Sequence, residues 1–104
     1  MVTPEEARSI AVSFEGTDEK PHFNHTAFTV NGKIFATLLA SDSTLNLMFD
    51  PQTQFIFCPP GSDVIFPVPN KWGLKGATTI NLSKANIRLV KSALKEAYRL
   101  RKLK

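Results

Sequence analysis

The sequence predicts a single α+β domain, in which an antiparallel sheet of four to five strands carries an N-terminal and a C-terminal helix. A strong β-hairpin signal lies in the first half of the chain, and apolar residues at helical spacing follow helix-start signals at both ends. A chain of 104 residues can bury one core without metals or disulfides. We therefore expect one domain spanning residues 1–104.

The first helix is predicted from its start signals. Thr3 is placed to cap it, Pro4 suits its first position, and Glu6 completes a capping box. Gly16 is a natural stop, and the charged residues 17–20 are predicted to form a loop. The apolar side chains that follow the start share one helical stripe, at Ala7, Ile10, Ala11 and Phe14.

The hairpin is predicted from Asn31-Gly32, since this pair tolerates the positive φ angles of a type I′ turn and stands between two runs of β-branched and aromatic residues. Both faces of the hairpin are apolar, so the pattern does not indicate which face meets the helices. Counting outward from a two-residue turn predicts the cross-strand pairs Val30–Lys33, Thr29–Ile34 and Phe28–Phe35.

The remaining elements are predicted from alternation, caps and proline positions. Alternating residues predict a strand, Asp50-Pro51 predicts a short helix, and the prolines after Val64 confine the next segment to a sheet edge. These elements are a strand at residues 44–48, a helix at about 51–57, an edge strand within 64–69, a loop at 70–76 that contains Trp72, and a strand at 78–82.

The last helix is predicted from Lys84 to about Lys102, with Ser83 as its cap. Its core face comprises Ile87, Val90, Leu94, Ala97 and Tyr98, widened by Leu89, Ala93 and Leu100. A basic stripe occupies an arc of about 100° beside that face. The basic stripe consists of Lys84, Arg88, Lys91, Lys95, Arg99 and Lys102.

The basic stripe has two interpretations. A solvated helix face often carries lysines, and cations are favoured near a helix C-terminus. However, like charges four residues apart repel by about 0.2 to 0.5 kcal/mol per pair, and the helix dipole does not favour Lys84 and Arg88 at the N-terminal end. A polyanionic partner would relieve this repulsion.

Charge is distributed unevenly along the chain. Residues 1–70 hold three Lys or Arg and eight Asp or Glu, whereas residues 71–104 hold ten Lys or Arg and one Glu. This asymmetry favours an anionic partner such as nucleic acid.

Trp72 lies between Lys71 and Lys75, so it could stack on a base while the ammonium groups bind phosphate. The alternative is a tryptophan packed on the core. Lys33 either marks the solvent side of the hairpin tip or contacts phosphate.

Nothing in the sequence predicts catalysis, a metal or a cofactor. His22 and His25 have a His-x-x-His spacing with no third ligand of matching type beside them. The lone Cys58 has no neighbouring base, and the glycines do not form a phosphate-binding motif. The single cysteine, the absence of an apolar run of membrane-spanning length and the acidic start lead us to expect a cytoplasmic protein. We expect a monomer.

Several segments together resemble the MmcQ/YjbR family, which is bacterial and usually described as DNA-binding. The resemblance implies an α+β fold similar to that of frataxin-type proteins, with a double-wing arrangement. The most specific segment runs from Phe28 through Gly32-Lys33-Ile34-Phe35-Ala36. The others are Pro21-His22-Phe23, the Phe66-Pro67 segment before Trp72-Gly73, and Ala97-Tyr98 in the last helix.

Together these observations predict a DNA-binding protein that mainly contacts the phosphate backbone. The alternative is a protein-interaction or small-ligand module whose basic helix docks on an acidic partner. The candidate nucleic-acid contacts are Lys33, Lys71, Trp72, Lys75, Arg88, Lys91, Lys95, Arg99 and Lys102.

Overall fold

The computed structural model describes residues 1–22 and 24–103. Phe23, which belongs to the Pro21-His22-Phe23 motif, lies outside the described residues. In that part of the chain the α-helices are α1 (Pro4–Val12), α2 (Pro51–Phe57), α3 (Lys71–Leu74) and α4 (Ile87–Lys102), and a 3₁₀ helix spans Ala40–Asp42. The strands are β1 (Thr17–His22), β2 (His25–Val30), β3 (Lys33–Leu39), β4 (Thr44–Met48), β5 (Ile65–Pro67) and β6 (Ala77–Asn81).

The strands form one antiparallel sheet in the order β1-β2-β3-β4-β6-β5, so the α+β prediction is confirmed. The described residues contain six strands rather than four to five. The additional strand is β1, because residues 17–20 pair with β2 instead of forming a loop. The strand is charged and mostly exposed. Charged residues are common on an edge strand, where they discourage pairing with other chains, and this is why the pattern resembled a loop.

The Asn31-Gly32 turn is confirmed, with φ angles of 54° and 77°. Val30 pairs with Lys33 and Thr29 with Ile34, as predicted. The prediction that Phe28 faces Phe35 is wrong, because the register shifts beyond Thr29 and Phe28 pairs with Ala36. This β-bulge contributes an extra residue to β3.

The bulge explains why both faces of the hairpin are apolar in sequence. Paired residues lie on the same face of a sheet, so the shifted register brings Ala36 onto the side of Phe28 and Leu38 onto the side of Thr26. Phe35 is fully buried as well. The bulge therefore collects apolar residues of β3 on the face that the helices cover.

The turn geometry predicts that Gly32→Val destabilises the fold. A β-branched residue at positive φ costs about 1 to 3 kcal/mol, and an added Cβ meets no atom within 4 Å, so backbone strain is the whole effect. We expect a melting temperature lower by about 4 °C or more. Asn31→Gly in the same turn is the control, since glycine also accepts positive φ. A melting temperature equal to that of the wild type would contradict the turn assignment.

Helices α1 and α4 contact each other and pack on β3, which places them on one face of the sheet. The capping box of α1 is confirmed, with Glu6 N donating to Thr3 Oγ1 and Thr3 N donating to Glu6 Oε1. The helix ends at Val12, before Gly16. The core between helices and sheet includes Phe28, Phe35, Leu45, Leu47, Ile80, Val90 and Leu94.

The predicted start of α4 at Lys84 is wrong. The helix begins at Ile87, because Asn86 caps it by accepting a hydrogen bond from Leu89 N at 2.8 Å. Lys84 precedes the helix, and its Nζ lies 2.6 Å from Asp63 Oδ2. Ile87, which was assigned to the core face, is 41% exposed at the first helical position.

Helices α2 and α3 lie beside the β5–β6 end of the sheet. The α2 bounds are those predicted, and Asp50 caps the helix through Thr53 N. Residues 71–74, predicted as part of a loop, form the short helix α3. Gln54 Nε2 donates to Gly73 O and Ala77 O at 2.9 and 3.0 Å, and so connects α2 to α3 and β6.

Candidate functional site

The first candidate surface is the α4 basic face, which comprises Arg88, Lys91, Lys95, Arg99 and Lys102, all of them exposed. At about 100° per residue, its centre lies about 150° from the centre of the buried side chains of α4. The buried residues are Val90, Ala93, Leu94 and Ala97. The α4 basic face therefore points away from the sheet, and Lys84 of the predicted stripe is outside it.

Most of the positive charge on the α4 basic face is unneutralised. Arg99 pairs with Glu96, with 2.6 Å between Nε and Oε1, and this hydrogen bond lowers the pKa of the Glu96 carboxyl below its usual value. Arg88, Lys91 and Lys95 form no ion pair with any other residue that the structure describes. Three cations without an ion pair among the described residues therefore follow one another along the helix before Arg99.

The second candidate surface is a cavity on the opposite face of the sheet. This open face carries a polar row in which Thr37 pairs with Asn46 and Asn46 with Thr79. The cavity has a volume of about 840 Å³. Its lining residues are His22, Asn24, His25, Gly32, Lys33, Ile34, Thr37, Asn46, Met48, Val68, Asn70, Trp72, Ala77 and Arg101. We call it the sheet cavity.

Trp72 belongs to the surface, so the alternative of a tryptophan packed on the core is wrong. The indole is 63% exposed, and Lys75 Nζ lies 5.1 Å from its ring centroid. The geometry is that of a cation–π contact. Helix α3 is positioned by Asn70, whose Oδ1 accepts a hydrogen bond from Trp72 N at 2.9 Å. Lys71 is exposed at the first position of this helix.

The predicted candidates thus fall into two groups. Lys33 and Trp72 line the sheet cavity, with Lys75 against Trp72, whereas the α4 basic face lies on the other side of the sheet. The sequence reasoning missed Arg101, which also lines the cavity. At about 100° per residue Arg101 falls among the buried positions of α4. A cation on the apolar side of a helix was the signal that could have identified it.

The cysteine and the two histidines considered in the sequence analysis are placed as follows. Burial raises the pKa of the Cys58 thiol above its ordinary value, which favours the protonated form. His22 and His25 pair across the β1–β2 turn. No three His, Cys, Asp or Glu side chains within residues 1–22 and 24–103 are grouped to hold a metal ion. Over the same residues, no helix is both long and apolar enough to cross a membrane.

Comparisons with known proteins gave one family. No curated protein and no solved structure matches the chain. A family model described as YjbR matches residues 12–100, which include the whole sheet and most of α4. The resemblance seen in the hairpin and the last helix is thereby confirmed, and the chain belongs to the YjbR family.

Proposed function

We propose that this protein binds DNA through phosphate contacts made by the α4 basic face, without catalysis and in the cytoplasm. The observation that carries the proposal is the set of exposed cations on one side of α4, of which only Arg99 has an acidic partner among the described side chains. From Arg88 to Lys102 the face extends about 21 Å along the helix axis. That length spans several phosphates of a duplex.

Helix stability alone does not account for these charges. Arg88 lies in the first turn of α4, where the helix dipole disfavours cations, and that turn contains no acidic residue. Repulsion between cations on adjacent turns lowers the stability of the helix further. A surface that is unfavourable for the free protein is favourable when a polyanion binds, since phosphate contacts release condensed counterions.

The family supports the proposal by analogy, since YjbR-type proteins are usually described as DNA-binding. Phosphate contacts confer affinity and position without reading bases. We therefore propose little sequence specificity. Lys33, Lys71 and Lys75 lie outside the α4 basic face, so the proposed phosphate contacts are assigned to the helix alone.

The salt dependence of binding tests the proposal. If about four phosphates are contacted, log K falls against log salt with a slope of about −3.6. Lys91→Gln/Lys95→Gln is expected to flatten this slope by about two units, since each lost contact releases one counterion fewer. Thermal stability should change little, because both side chains are exposed. Labelled duplex and single-stranded oligonucleotides, titrated at several salt concentrations, provide the measurement.

The matched control is Lys20→Gln/Lys84→Gln, which removes the same number of charges from β1 and from the segment before α4. It should leave the slope near its wild-type value. Equal duplex slopes in all three proteins, or no binding of the duplex at low salt, would contradict the proposal. The alternative, an acidic protein partner docking on the same α4 basic face, would then be favoured.

A further inference from the structure

The sheet cavity is a second surface, which the proposed DNA contacts leave unused. Its volume of about 840 Å³ falls within the range of roughly 300–1,000 Å³ that is typical of small-molecule sites. Ile34, Met48 and Val68 supply an apolar part of its wall. Asn46 and Thr37 bring polar groups from the middle of the sheet. Apolar walls with a few placed polar groups are the usual composition of a ligand site.

The charged side chains of the cavity are all basic. Lys33 enters from the hairpin tip and Arg101 from the last turns of α4, and no acidic residue is among the described residues that line it. The hairpin tip lies beside the end of α4, where Asn31 Nδ2 is 3.4 Å from Lys102 O. The cavity is therefore complementary to an anion.

Arg101 is the side chain in the cavity best suited to bind an anion. Its Nε is shielded from solvent and has no hydrogen-bond partner among the residues that the structure describes. A buried donor without an acceptor is unfavourable. The guanidinium as a whole lines the sheet cavity, and its planar shape matches the geometry of a phosphate bound there.

Trp72 adds an aromatic surface to the same cavity. The exposed indole can stack on a planar ring, and such stacking tolerates any base because every base has a π face. Asn46 is oriented by Thr79, whose Oγ1 donates to Asn46 Oδ1 at 2.7 Å. The amide nitrogen of Asn46 is then the end that can donate to a ligand.

We propose that the sheet cavity binds a nucleotide, with the base against Trp72 and the phosphate at Arg101 and Lys33. The shared chemistry is an aromatic base joined to a phosphate, which either a free mononucleotide or an unpaired nucleotide of a single strand supplies. This site lies across the sheet from the α4 basic face and does not depend on it.

Quenching of tryptophan fluorescence tests this assignment directly, since Trp72 is the only tryptophan in the chain. The probes are AMP, GMP, CMP and TMP, a thymidine tetranucleotide, adenosine, inorganic phosphate and benzoate. We expect saturable quenching by nucleotides, with adenosine, phosphate and benzoate each binding at least tenfold more weakly than AMP. If the mononucleotides bind with the same affinity as the tetranucleotide, the ligand is a free nucleotide. If the tetranucleotide binds tenfold more tightly, the ligand is a single strand.

Substitution of Arg101 and of Lys33 tests whether these two side chains bind the phosphate of the nucleotide. Arg101→Gln and Lys33→Gln are each expected to weaken AMP binding at least tenfold while leaving the weak adenosine binding unchanged. Lys84→Gln removes one charge outside the cavity and is expected to bind AMP like the wild type. Circular dichroism checks that each variant is folded, and either cation variant suffices if the other does not fold.

Three results would overturn the inference. The first is that neither a mononucleotide nor the tetranucleotide quenches the fluorescence saturably. The second is that adenosine or benzoate binds as tightly as AMP. The third is that the folded cation variants bind AMP with wild-type affinity. Duplex binding is measured separately, through the α4 basic face and its salt dependence. A failure of the DNA proposal therefore leaves this test intact, and the reverse also holds.

Discussion

Gly76→Ala is expected to remove a large part of the stability of the fold. Gly76 has a φ angle of 114°, and a Cβ at this position would lie 2.1 Å from Phe49 O and 2.6 Å from the Asp50 carbonyl carbon. Positive φ costs about 1 to 3 kcal/mol for a residue with a side chain. Displacing packed neighbours costs about 1 to 3 kcal/mol more. The expected loss is therefore about 2 to 6 kcal/mol, against a total of about 5 to 15 kcal/mol for a domain.

The loss follows from the position of Gly76 between α3 and β6. The backbone it approaches is the segment that enters α2, where Asp50 caps the helix through Thr53 N. Displacing this segment also disturbs the bonds from Gln54 to Gly73 and Ala77. A single methyl group would thus separate three elements at the β5–β6 end of the sheet.

Gly61→Ala is the matched control for this prediction. Gly61 has a φ angle of 77°, but no atom lies within 4 Å of the added Cβ. Only the strain of positive φ applies, at about 1 to 3 kcal/mol. Urea unfolding followed by circular dichroism measures both variants, and equal losses would contradict the close approach of Gly76 to the Phe49 backbone.

Local signals allowed the turn and the caps to be predicted from the sequence. Asn31-Gly32 forms the expected turn, and Thr3 with Glu6 forms the expected capping box, because the groups that decide each structure lie within three residues of one another. Helix α2 follows the same rule through Asp50-Pro51. These elements need no information about distant parts of the chain.

The misassigned elements depend on tertiary contacts. Strand β1 is polar, so only its pairing with β2 reveals it as a strand. Two alternative caps, Ser83 and Asn86, precede α4, and the buried Ala85 between them belongs to the turn before the helix. The bulge in β3 is set by burial of Phe35 against the helices rather than by the turn.

The candidate site was predictable where charge repeats along one helix and unpredictable where distant segments meet. Spacing alone identified Lys91 and Lys95 as neighbours on α4. The sheet cavity instead joins the hairpin tip, the end of α4 and the α3 segment, which are far apart in sequence. Arg101 and Trp72 become parts of one site only through the strand order of the sheet.

Phe35→Ala is expected to destabilise the protein by about 3 to 5 kcal/mol, the usual cost of removing a buried phenylalanine ring. Phe35 is fully buried, and its ring centroid lies 6.5 Å from those of Phe14 and Phe28 and 5.6 Å from that of Tyr98. The ring thus connects β2 and β3 to α4 and to the segment after α1. Its removal leaves a cavity that these four elements must fill.

Phe55→Ala is the control, since it removes the same ring from a side chain that is 86% exposed on α2. A surface substitution of this kind changes stability by about 0.5 kcal/mol or less. Urea midpoints of the two variants, compared with that of the wild type, give the contrast. Equal midpoints would contradict burial of Phe35, and with it the bulge that turns Phe35 toward the helices, because a ring on the open face of the sheet would leave no cavity.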